Sequence, residues 1–275
     1  MRSSKIHYYS HRGRRKHPSS ILGRLGTHIV LPLALVVLAT FVATGAFFIP
    51  LPSTYSYAIQ ARTLVGALST SLLRLLFAYA LSLAVSVPLA LLAERNHRVE
   101  SFLLPIYDVL ESIPVLAFFP VVILFFVRSG LLEGAAIFML FSTMIWNIVF
   151  NTIGGLKVIP KEVKSVGFVF GLSAWERFTK ITLPALFPSI VTGSILAFAQ
   201  GWNILIVAEA LHVYAPQSAQ AHDLFGIGSV LVSAAAQGDT DMLLVSMTLL
   251  IVVIAVINLA VWQPLLARAE RYKFE

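Results

Sequence analysis

The sequence predicts an all-α, polytopic membrane protein with six transmembrane helices. Three observations carry that prediction. The 275 residues are 58% hydrophobic and only 12% charged, with mean hydropathy +0.85, whereas a soluble domain carries about 25% charged residues. Apolar runs near the roughly 20 residues that a bilayer-crossing helix requires recur six times. The basic residues fall on alternate connections between those runs.

Residues 1–27 form a basic N-terminal segment with Arg2, Lys5, Arg12, Arg14, Arg15, Lys16 and Arg24. The first apolar run, 28–49, is longer than the roughly 7–15 residues of a secretory signal's apolar region, so it reads as a retained anchor. Residues 50–62 complete this segment as an outer loop. The core, 63–265, carries the other five runs at 63–93, 102–127, 134–155, 186–211 and 242–265. The run 102–127 contains Pro105, Pro114 and Pro120. Proline removes a backbone donor and kinks a helix, so this span is expected to be bent or broken. Residues 266–275 form a basic tail.

Orientation follows from charge. Arg95, Arg98, Lys157, Lys161, Lys164, Arg177, Lys180, Arg268, Arg271 and Lys273 share one side with the basic N-terminus, while the stretch 212–241 has neither Lys nor Arg. The positive-inside rule then places both termini in the cytoplasm, in a plasma or inner membrane. It accounts for the net charge of +7 without nucleic acid, for which no basic surface with interleaved aromatics remains.

Several chemistries are absent from the sequence. It has no cysteine, no G-x-x-x-x-G-K-[ST] phosphate loop and no H-E-x-x-H metal spacing. No nucleophile–base constellation emerges, so the chain is read as a non-enzyme with no cofactor and no metal.

The connection 156–184 is more organised than a simple linker. Pro160 suits the start of a helix, Gly171 sits where a left-handed residue would end it, and Ser173-Ala174-Trp175-Glu176 is a capping box for a second short helix. Pro184 is expected to end that helix. Phe168, Val169, Phe170, Trp175 and Phe178 would then sit on a cytoplasmic loop, as a patch for a partner or for the chain's own bundle.

Gly171, nine residues, Ile181, Thr182 and Leu183-Pro184 resemble the cytoplasmic signature of ATP-binding-cassette (ABC) importer permeases. Where that signature begins Glu-Ala-Ala, this chain has Ser165-Val166-Gly167, and Glu162 stands three residues too early to replace the acid. The runs Ser71–Leu92, Gly201–Leu211 and Phe225–Leu244 resemble permeases of the nitrate, sulfonate and taurine group. The resemblance implies a type I ABC importer permease fold, with 156–184 as the coupling loop. The loop residues it marks are Ser165, Gly167, Gly171, Trp175, Ile181, Leu183 and Pro184. It also implies a cytoplasmic ABC ATPase dimer that uses the ATP, an extracytoplasmic solute-binding protein, and a second permease copy or homologue. The substrate would be a small anion. Two other readings remain: a stand-alone secondary transporter or channel, and a non-transporting membrane scaffold.

Within the spans, Arg74 and Glu209 are the charges that need an explanation, because a bare charge in hydrocarbon costs roughly 2.5–3.5 kcal/mol. They either line an anion pathway or form a buried ion pair. Trp202 and Asn203 are further pathway candidates, with packing and helix-to-helix hydrogen bonding as the alternatives. Asp108 and Glu111 lie near the cytoplasmic end of the third run. Asn147, Asn151 and Gln200 read as interhelical glue. Gly193, Ala197 and Gly201 form a stripe of small residues for close helix approach, within one subunit or across two.

Overall fold

The structure, a computed structural model, describes residues 54–95, 97–211 and 223–272. The predicted first span at 28–49, the basic segment before it and Lys273 lie outside the described residues. Every regular element among the described residues is helical.

Helix α1 runs from Thr54 to Arg95. It begins nine residues before the expected start, because nothing after Pro52 breaks the helix. Its apolar stretch is Arg62–Glu94. Helices α2 (His97–Ser112) and α3 (Val115–Arg128) occupy the third predicted span. They meet at an 81° bend at Ile113-Pro114. Proline disfavours helical backbone in the residue before it, and the helix restarts where Ala117 N–H donates to Pro114 O at 2.9 Å. Pro105 and Pro120 stay inside their helices.

A turn at Gly130 (φ +70°) leads into α4, Leu132–Val158. The loop follows as α5 (Lys161–Val169) and α6 (Ala174–Arg177), and α7 spans Leu183–Glu209. After residue 222 come α8 (Ile227–Gln237) and α9 (Thr240–Ile257), with α10 at Gln263–Ala269 and a 3-10 turn at Glu270–Tyr272. Among the described residues four helices are long and apolar enough to cross a membrane, and the bent α2–α3 pair makes a fifth if it is one span.

One expectation is corrected. Pro184 does not end the second short helix. A π turn, Phe178–Thr182, joins α6 to α7, so helix is continuous from Ala174 to Glu209. A helical proline crowds the carbonyl four residues before it and donates no hydrogen bond. The wider turn absorbs that mismatch: Leu183 N–H reaches back to Phe178 O, and Pro184 starts the next helix, where no donor is missed. Asn258–Trp262 repeats this arrangement ahead of Gln263-Pro264.

Helix α4 sits between α1 and α7. Leu75 and Ala78 of α1, Leu140, Met144 and Ile148 of α4, and Ala197, Phe198, Trp202 and Leu205 of α7 share one buried cluster. The small-residue stripe serves this packing inside the subunit. A Cβ on Gly193 would stand 2.9 Å from Asn147 O, and one on Gly201 would stand 2.6 Å from Leu75 Cδ1. Hydroxyls tie the same helices: Tyr79 O–H donates to Ser194 Oγ at 2.8 Å, and Ser86 Oγ donates to Ile145 O at 3.1 Å. The outer surfaces of α1 and α9 expose Leu73, Phe77, Ile251 and Val256, apolar groups that suit hydrocarbon rather than water.

Candidate functional site: a buried clasp and an exposed loop

Two clusters stand at opposite ends of α7. The first gathers around Glu209, whose side chain is wholly buried. Its Oε1 accepts from Arg74 Nη1 at 2.6 Å and from Ser71 Oγ at 2.6 Å, and its Oε2 accepts from Gly228 N–H at 2.8 Å. Arg74 then reaches α4: Nε donates to Glu133 Oε2 at 2.5 Å and Nη2 to Glu133 Oε1 at 2.7 Å. The planar guanidinium fork suits this two-pronged pairing. Ser71 Oγ also accepts from Ile227 N–H at 2.8 Å, and Thr70 Oγ1 donates to Phe225 O at 2.9 Å.

Glycines make this approach possible. A Cβ on Gly226 would meet Glu209 Oε2 at 2.2 Å, and one on Gly228 would meet Ile206 Cα at 2.6 Å. The N-terminus of α8 is thereby clasped onto α1 and α7. Every charged atom of Arg74 and Glu209 has a partner, as low dielectric demands. The geometry is that of a buried ion pair with Glu133 as a third member.

Sequence reasoning did not find Ser71, Glu133, Gly226 or Gly228. Glu133, Gly226 and Gly228 share a position at the N-terminal ends of α4 and α8, while Ser71 lies inside α1, three residues before Arg74. Trp202 packs in the core cluster. Asn203 is exposed on α7, and neither residue hydrogen-bonds to the clasp. Glu111 is exposed on α2, while the Asp108 side chain lies outside the description.

The second cluster is the loop 156–184. Gly171 takes φ +63°, and Leu172 N–H closes back onto Gly167 O at 2.9 Å, a helix end that favours glycine. The capping box is formed: Glu176 N–H donates to Ser173 Oγ at 3.3 Å, and Ser173 N–H donates to Glu176 Oε2 at 3.1 Å. Ser165 Oγ donates to Lys161 O on the exposed side of α5.

Gly167 is the buried point of close contact between α5 and the residues from the end of α6 onward. A Cβ there would stand 2.6 Å from Arg177 Cγ and 3.0 Å from Ile181 Cδ1. Arg177 continues over Phe168, with Cζ 4.0 Å from the ring centroid. Lys164 anchors the loop to the bundle through Glu94 and through Leu156 O at 3.0 Å. Leu183 and Pro184 lie where the π turn enters α7.

Held this way, the loop turns its apolar groups outward. Phe168, Val169, Phe170 and Trp175 are each at least 70% exposed. Phe178 is only half-buried, against Trp175 at 5.8 Å between centroids.

The comparisons with known proteins agree with one another. The family described as "Binding-protein-dependent transport system inner membrane component" matches residues 86–268, more than half of the chain. A nitrate import permease protein of Leptolyngbya laminosa is 34% identical over 144 residues, covering 52% of this chain and 50% of that protein. A bicarbonate transport system permease protein of Synechococcus elongatus is 28% identical over 201 residues, covering 66% and 71% respectively. A putative aliphatic sulfonates transport permease protein of Bacillus subtilis is 27% identical over 158 residues, covering 58% and 56%. The alignment with the nitrate permease thus spans half of that protein's length.

Proposed function

We infer the role of this chain from its family: it belongs to the binding-protein-dependent transport system inner membrane components. It is a multi-pass membrane protein whose work is transport rather than catalysis. We propose that it forms the translocation pathway of an ABC importer for a small anion. The related permeases are named for nitrate, bicarbonate and aliphatic sulfonates, which share a compact, negatively charged head.

The observation that carries this reading is the loop. Four large apolar side chains stand exposed on a short helix pair anchored by Lys164 and shaped by Gly171. Such a patch on the cytoplasmic side needs a partner, and a separate ABC ATPase dimer is the proposed one. Closure of that dimer on ATP would draw the loops of two permease copies together. The helix continuous from Ala174 to Glu209 would carry the motion to the outer end, where a solute-binding protein delivers the anion. Asn203, exposed on α7, is the proposed pathway-lining residue. Arg74, Glu209 and Trp202 hold the helices that present it.

The test is anion uptake by cells expressing the chain with its ATPase, beside the Gly171→Val variant. ATP-dependent uptake of nitrate, bicarbonate or a sulfonate is expected, lost in the variant while membrane insertion persists. Uptake that follows an ion gradient without any ATPase would identify a secondary transporter instead. Reporter fusions after Leu156 and Gln217 should read cytoplasmic and extracytoplasmic respectively.

A further inference from the structure

Where α10 ends, two adjoining grooves of about 370 and 380 Å³ share Pro184, Arg271 and Tyr272. One is completed by Lys180 and Ile181, the other by Leu183, Phe187 and Arg268. The Tyr272 ring packs edge-on against Phe187, centroids 5.9 Å apart, and fixes the wall between α7 and the 3-10 turn. Arg268 and Arg271 are exposed and three residues apart, near enough to act on one ligand. Neither makes an ion pair among the described residues. Lys180 is different, since its Nζ lies 2.9 Å from Glu176 Oε1. Glu270 lies between the two arginines in sequence but lines neither groove.

We propose that Arg268 and Arg271 bind the phosphate of an anionic phospholipid, with an acyl chain lying along Leu183 and Phe187. Three features favour a lipid. The arginines stand in the last turns of the apolar helical stretch Thr240–Tyr272, which sets them at headgroup depth. The floor of the site is apolar and aromatic. The charges are guanidiniums without an ion pair among the described residues, the groups best matched to a phosphate oxygen pair. Basic pockets between helices on the cytoplasmic side suit such headgroups. The site adjoins the π turn that joins the loop to α7, so an occupied groove would brace the base of the loop. The cytoplasmic placement rests on the orientation proposed above; the binding chemistry does not.

The experiment uses the full chain purified in detergent with equal phosphatidylglycerol and phosphatidylcholine, and native mass spectrometry to count retained lipid. Wild type should retain phosphatidylglycerol preferentially. Arg268→Gln/Arg271→Gln should lower that retention by roughly tenfold or more, as suits two basic residues at an anionic surface. Arg271→Gln alone should show a smaller loss in the same direction, and Arg268→Lys/Arg271→Lys should keep only part of the retention, because the charge survives while the guanidinium fork is lost. Arg62→Gln, an exposed charge elsewhere on the chain, should change nothing. Equal retention in the double Gln variant would overturn the site. Displacement of the lipid by millimolar inorganic phosphate or glycerol phosphate would overturn it as a lipid site and mark a soluble-anion site. A C-terminal reporter that reads extracytoplasmic would overturn the importer orientation while leaving the lipid retention standing.

Discussion

The two ends of α7 solve opposite solvation problems. At Glu209 the danger is a charge in hydrocarbon, and the chain meets it internally with Arg74, Ser71, Gly228 and, one step further, Glu133. At Trp175 the danger is an apolar surface in water, and the chain leaves it open, with Phe168, Val169, Phe170 and Trp175 uncovered. A cluster that satisfies itself holds structure together; a cluster that leaves its surface unsatisfied invites a partner. The contrast separates residues whose loss should unfold the protein from residues whose loss should only disconnect it.

The largest expected effect follows from breaking the clasp at its centre. Arg74→Gln leaves Glu209 buried with no cation, and breaking a buried pair costs about 3–5 kcal/mol. We predict a steep drop in folded yield from detergent. Glu209→Gln should cost less, because Arg74 keeps its two bonds to Glu133. The double variant should recover much of the yield, since the remaining Glu133 side chain is 57% exposed and can be solvated. Uptake lost at normal yield in Arg74→Gln would place the guanidinium in the pathway after all. Next comes Gly228→Ala, which sets a methyl 2.6 Å from Ile206 Cα. Overpacking of this kind costs about 1–3 kcal/mol, and the thermal midpoint should fall even though no charge has changed. An unchanged midpoint would show that α8 is not held against α7.

The loop should respond in the other register. Gly171→Val puts a β-branched residue at φ +63°, a strain of about 1–2 kcal/mol. That strain falls on an exposed turn, so the bundle should fold normally while ATP-driven uptake fails. Phe170→Ser/Trp175→Ser should fold as wild type and lose co-purifying ATPase. Each aromatic contributes about 1.5–3 kcal/mol when fully covered, enough to weaken the complex by tenfold or more. Reduced folded yield in this pair would mean that the patch packs on the chain's own bundle.

The loop was legible in the sequence because its determinants are local. Pro160, Gly171 and Ser173-x-x-Glu176 each act within a few residues, and each sits in the structure where its chemistry requires. The apolar spans were legible for the same reason, as continuous composition. The break in the third span followed from Pro114, although three prolines stood in that run and only one broke it. Pro184 misled because the π turn that accommodates it has no composition of its own. The clasp was only half legible. Arg74 and Glu209 stood out as charges in apolar runs, but Glu133 looked like the ordinary acidic start of a helix. Its contact with Arg74 spans 59 residues of sequence, and only the packing of α4 against α1 brings the two together.

Glu133 supplies the smallest and most discriminating test of the contrast. Its carboxylate takes two of Arg74's donors, yet its side chain is 57% exposed, against 0% for Glu209. An exposed carboxylate regains water when its partner is lost, so its ion pair contributes only about 0–1 kcal/mol. Glu133→Gln keeps the shape and one acceptor oxygen, but it turns an amide donor toward a guanidinium that is itself only a donor. Arg74 would still hold Glu209, and no charge would be stranded in hydrocarbon. We therefore predict a fall in thermal midpoint much smaller than that of Arg74→Gln, with the α8 clasp intact and uptake near normal. If Glu133→Gln instead destabilises as strongly as Arg74→Gln, the cluster is organised around its exposed pair. Burial would then not be what separates the structural end of α7 from the interacting one.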